Sequence, residues 1–83
     1  MTAPDWLSKR GGALKTGSDG HTCFVMLGDQ PLYRLVSAPA GGKFGCSIMQ
    51  TINGRPLAFR DTTGSADEAI RAGLEEVRKA LGW

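Results

Sequence analysis

His21 and Cys23 stand two residues apart, and a thiol beside an imidazole is the simplest way to give a nucleophile its own base. On a strand the two side chains share a face but lie about 7 Å apart, beyond hydrogen-bond reach. Cys46 is the only other cysteine and His21 the only histidine, so the four N or S ligands of a structural zinc site cannot be assembled. Both cysteines are expected to be buried, unreactive free thiols on separate strands. No catalytic residue, metal ligand or other cofactor-binding residue is expected.

Gly41-Gly42-Lys43-Phe44-Gly45 has the glycines and lysine of a phosphate loop, but not its Gly-Lys-Ser/Thr ending. It also opens a strand instead of a helix, so no helix N-terminus is available to an anion. The segment reads as a hairpin turn. Asp67 and Glu68 are neighbouring carboxylates, yet Ser65-Ala66-Asp67-Glu68 is a capping box that accounts for them. With no other carboxylate pair offered by spacing, the chain is expected not to be an enzyme.

The remaining chemistry is charge. Ten Lys/Arg against eight Asp/Glu leave a net +2, far short of a dedicated polyanion binder. Residues 1–62 carry seven basic and four acidic side chains (+3), and residues 63–83 carry three and four (−1). Arg34, Lys43, Arg55 and Arg60 are the candidate nucleic-acid contacts, assisted by Lys9, Arg10 and Lys15 near the N-terminus. Trp6, Tyr33 and Met49 are the candidate protein-interface residues.

The elements that must position these residues follow from apolar period and turn chemistry. Gly-rich and Pro-rich pieces separate short apolar runs, which argues for several strands. Residues 22–27 form a first strand, and Gly28-Asp29 suits a tight reversal into a second over residues 32–37. Pro39-Ala40-Gly41-Gly42 turns into a third over 43–51, with Phe44, Cys46 and Ile48 facing the core. Asn53-Gly54 predicts a two-residue type I′ turn, and Leu57 and Phe59 then alternate along a fourth strand. Pro56 has no N–H to donate, so this strand belongs at a sheet edge.

After the capping box, Ile70, Leu74, Val77 and Leu81 form one apolar stripe with Ala66, Ala69 and Gly73. Asp67, Arg71, Glu75 and Lys79 line the opposite face at steps of four. Gly82 is placed to stop the helix, and Gly73 is expected where helix and sheet approach closely. Residues 1–20 are poor in β-branched types and rich in turn formers, and read as a mostly irregular arm that Trp6 anchors to the domain or offers to a partner. The fold class is therefore α+β: a small antiparallel meander of three to four strands with one C-terminal helix on one face. Residues 21–83 form the ββββα domain and residues 1–20 the arm.

With 83 residues, area scaling buries about 60% of the unfolded surface, enough for one small core. Hydrophobic residues at 41% and charged residues at 22% exclude disordered and collagen-like classes. No apolar run approaches the length of a membrane span, so no membrane partner is expected. Met1 to Leu7 lacks a basic stretch followed by an apolar one, which makes a cytoplasmic, reducing setting the expectation.

The sheet's second face needs an account, because Leu32, Arg34 and Val36 alternate with Tyr33 and Leu35 and both sets contain apolar groups. Met26 and Met49 add flexible thioethers to that second face. Either the arm, with Trp6 and Leu7, folds over it, or a partner or second copy of the chain does. A small binding module acting through the sheet face or an edge strand is the leading expectation, with protein partners or self-association ahead of nucleic acid.

Tyr33-Arg34-x-Val36, Gly42-Lys43-Phe44, Ile48, Asn53-Gly54-Arg55 and Ser65-Ala66-Asp67-Glu68-Ala69 follow one another in an order that resembles a known pattern over about half the chain. It is that of the three-strand-plus-helix DNA-binding domain of plant ethylene-responsive factors and the arm-binding domain of phage-type integrases. That resemblance implies that Arg34 and Lys43, with Arg55, enter a major groove. Met49 stands where the family pattern would have an arginine, and the fourth strand reads Pro56-Leu57-Ala58-Phe59. The Gly-Gly-x-Phe strand and the Thr63–Ala69 helix start also resemble HicB-type antitoxins and double-stranded-RNA-binding-like folds, which implies protein binding.

Overall fold

The computed structural model describes residues 3–57 and 61–83. Its elements run α1 (Asp5–Ser8), β1 (Gly12–Thr16), β2 (Thr22–Leu27), β3 (Gln30–Ala40), β4 (Lys43–Gln50), β5 (Pro56–Leu57) and α2 (Ala66–Leu81). The strands form one antiparallel sheet in the order β1-β2-β3-β4-β5, and α2 packs on β3 and β4. The α+β class and the C-terminal helix on one face are as the sequence predicts.

The arm differs from its prediction. Instead of being irregular, residues 4–16 form a helical turn and the edge strand β1, which pairs with β2 from Gly12↔Leu27 to Thr16↔Cys23. Two placements stabilise it. Leu7 is fully buried in the core, and the Asp19 carboxylate accepts the His21 and Thr22 N–H groups at 2.8 and 2.9 Å and the Thr22 hydroxyl at 2.8 Å, closing the β1–β2 loop. Strand propensity in Gly12–Thr16 is low, and pairing with the apolar β2 overrides it.

The two central hairpins follow the predicted reversals with one change. Gly28 takes a positive φ of 62° between Leu27 and its partner Gln30. At the β4–β5 connection Gly54 has φ 66°, but Asn53 does not have a positive φ, so the two-residue type I′ turn is not formed. The Asn53 carboxamide instead accepts the Arg55 N–H at 2.9 Å, and Gln50 N–H donates to the Arg55 carbonyl at 2.9 Å across a wider loop. That register leaves Ile52 at the tip, 91% exposed. Pro56 lies opposite Met49 in β5, at the sheet edge, where its missing N–H leaves no ladder bond unmade. Phe59 of the predicted fourth strand lies outside the described residues.

α2 begins at Ser65, whose hydroxyl accepts the Glu68 N–H at 3.2 Å, and ends at the left-handed Gly82. The Trp83 N–H donates to the Arg78 carbonyl at 3.1 Å, completing a Schellman-type stop. On the outer face the ion pairs are Glu75–Arg78 and Glu76–Lys79, each at 3.7 Å, instead of the predicted steps of four. Three and four residues apart are both neighbours on a helix, and exposed side chains choose between them at little cost.

The core lies between α2 and one face of the sheet: Val25, Tyr33, Leu35, Cys46 and Ile48 from below, Ala69, Ile70, Leu74 and Val77 from above. Fully burying each such aliphatic side chain contributes about 1.5–3 kcal/mol. α1 joins this same layer. Leu7 enters the core, and Trp6 meets Trp83 edge-to-face at 6.3 Å. The arm therefore does not fold over the second face of the sheet, because its apolar groups are taken up beside the end of α2. Among the described residues, no helix is long and apolar enough to cross a membrane.

Candidate functional site: the open face of the sheet

Period-two alternation divides each strand between the helix side and the open side, and the pairing register aligns the open-side residues into rows. Lys15 lies opposite Phe24, Phe24 opposite Arg34, Arg34 opposite Met49 and Met49 opposite Pro56. One row thus crosses all five strands. Directly opposed residues have β-carbons about 4.5–5.5 Å apart, so Lys15 and Arg34 flank Phe24 at neighbouring positions. Thr22, Val36 and Ser47 make the next row on one side, and Met26 continues β2 on the other.

Phe24, Met26, Val36 and Met49 are half-buried, whereas Lys15 and Arg34 are exposed. The Arg34 guanidinium lies across Met49, with Nη2 3.8 Å from its sulfur. Neither cation enters an ion pair among the described residues. No open-side position of the sheet carries an acid. Asp67, Glu68, Glu75 and Glu76 are all on α2, in the opposite layer, and Asp19 and Asp29 are in the loops that end strands.

The predicted basic quartet is not brought together. Arg34 is on the platform, but Lys43, opposite Ala40, is six residues along β4 from Met49, about 20 Å at 3.3 Å per residue. Arg55 is backbone-paired with Gln50, a register that by alternation puts it on the helix side. Arg60 lies outside the described residues. Lys15, foreseen only as an accessory in the arm, takes its place in the row. Phe24 was not singled out by sequence reasoning, although its alternation with buried Cys23 and Val25 carried the signal.

Of the predicted protein-interface residues, Tyr33 belongs to the core. It is 4% exposed, and its hydroxyl accepts the Gln50 side-chain N–H at 3.3 Å. Trp6 is half-buried against Trp83, and Met49 is on the open face. Gly41 and Gly42 form the β3–β4 hairpin turn, in keeping with the non-phosphate reading.

Cys23 and Cys46 are free and buried on the helix side. Burial raises both thiols, Cys46 to about 11, which suppresses the thiolate that nucleophilic or redox chemistry needs. Among the described residues no hydrogen bond joins Cys23 to His21, and no three His, Cys, Asp or Glu cluster as metal ligands would. Comparison with protein-family models, curated proteins and solved structures returns no match.

Proposed function

We propose that this chain is a non-enzymatic binding module of the cytoplasm whose open sheet face takes single-stranded nucleic acid. The observation that carries this reading is the row Lys15–Phe24–Arg34: one aromatic ring between two unpaired cations, on a face without an acid. Exposed bases stack on an aromatic side chain while the flanking cations hold phosphates, a combination indifferent to sequence. A duplex offers Phe24 no unstacked base. The major-groove reading would also need a cation where Met49 stands.

A protein partner is the second reading, favoured by Ile52 at 91% exposure and by Leu27 at 39%. Both side chains lie at strand ends, so such a partner would engage the tips of the hairpins instead of the platform.

Fluorescence anisotropy with labelled single strands and duplexes at two salt concentrations tests the proposal. Micromolar binding of single strands that weakens with salt and weakens further in Phe24→Ala and in Arg34→Ala supports it. Equal binding of duplex would return the face to groove recognition. Flat traces with both would leave the hairpin tips and a protein partner.

A further inference from the structure

A second site lies in the other layer, where α1 meets the end of α2. Asp5, Trp6, Lys9, Arg10, Arg78 and Trp83 line a cleft of about 580 Å³ there. Its lining side chains include three cations, Lys9, Arg10 and Arg78, and one acid, Asp5. The two indoles meet at 63°, and the Arg10 guanidinium sits 5.0 Å over the Trp83 ring. Lys9 and Arg10 enter no ion pair among the described residues, and Arg78 has only a long, water-exposed contact with Glu75 at 3.7 Å. Exposed pairs of that kind contribute little, so the Arg78 guanidinium is available to another anion.

We infer that this cleft binds a nucleoside phosphate, free or at the phosphorylated end of a strand. Its two recognition elements are indole surface for a planar base and a Lys/Arg set for the phosphate. Arg matches phosphate oxygens with paired N–H donors, and its stacking on Trp83 holds the guanidinium ready for that contact. The Asp5 carboxylate in the lining disfavours a second anionic group close by. The site does not depend on the open face, which belongs to the opposite side of the sheet.

Both tryptophans of the chain line this cleft, so tryptophan emission reports its occupation. AMP titrated into the full chain, with excitation at the red edge of indole absorption where adenine is transparent, is expected to quench saturably. Adenosine and inorganic phosphate each bind at least about tenfold more weakly, because each offers only half of the contacts. Lys9→Ala and Arg78→Ala change exposed positions, keep the circular dichroism of the folded chain, and each weaken AMP severalfold. Arg34→Ala, in the other layer, leaves AMP unchanged, which separates failure of this site from failure of the open face. In that variant a 5′-phosphorylated oligonucleotide that quenches as AMP does assigns the cleft to strand ends, and quenching by AMP alone assigns it to the free nucleotide. Linear quenching, quenching as strong with adenosine, or indifference to both Lys9→Ala and Arg78→Ala overturns the inference.

Discussion

A β-carbon on Gly73 would lie 2.8 Å from the Cys46 sulfur and 2.9 Å from Cδ2 of Leu35, so α2 rests on the sheet through bare backbone at its centre. Neither neighbour can withdraw freely, since Leu35 is fully buried and Cys46 is 9% exposed. Gly73→Ala gains about 1 kcal/mol of helix propensity and meets overpacking of typically 1–3 kcal/mol. A lower urea midpoint with an unchanged slope is the expected outcome. A more stable variant would mean that the helix can lift without cost.

The arm is part of the core, which Leu7→Ala tests. Leu7 is fully buried in the same core as Val77 and packs so closely on Gly12 that a β-carbon there would overlap it. Truncating a buried leucine costs about 2–5 kcal/mol, a large share of what a domain this small has. Denaturant unfolding followed by tryptophan emission should show the loss, because Trp6 and Trp83 sit at the same junction. A change below about 1 kcal/mol would show that the arm is an appendage, as surface substitutions cost that little.

How far the sequence could be read depended on whether a signal was local. The capped helix, its apolar stripe and the close approach at Gly73 were legible because capping and 3.6-residue period are written within sixteen residues. β1 was not. Gly12-Ala13-Leu14-Lys15-Thr16 has no strand composition, and its pairing with β2 is decided by where Leu7 is buried, a tertiary fact. The same gap hid the open-face row, since Lys15, Phe24 and Arg34 meet only once register is fixed. Asn53-Gly54 misled for a different reason: the Asn53 side chain captured the Arg55 N–H and widened the turn.

The burial of Cys46 makes a pH prediction. Its thiol is raised by desolvation from an ordinary value near 9 to about 11. An acid with a raised folded value keeps its proton while the unfolded chain releases one. Stability is therefore unaffected below about pH 9 and falls as pH rises from there towards about 11. Urea midpoints across that window should decline, and Cys46→Ala should flatten the decline, leaving the smaller share of Cys23, whose thiol is also raised by burial. Equal slopes in the two proteins would place the alkaline loss elsewhere. In the native chain at neutral pH both thiols should react with an alkylating reagent only as fast as the chain unfolds.

The open face makes the most discriminating prediction, because the register separates cations that composition treats alike. Phe24→Ala removes the stacking surface, worth about 1–3 kcal/mol per base, and should weaken a single strand about tenfold or more without altering its salt dependence. Arg34→Ala and Lys15→Ala each remove one phosphate contact, so each should lower the slope of log affinity against log salt by about 0.7. Lys43→Ala is the control, since Lys43 sits at the far end of β4, about 20 Å along the strand from Met49. If the row is the site, Lys43→Ala leaves the binding of a strand of a few nucleotides unchanged. If all three lysine and arginine variants weaken binding equally, the partner follows overall charge and the row Lys15–Phe24–Arg34 has no special part in holding it.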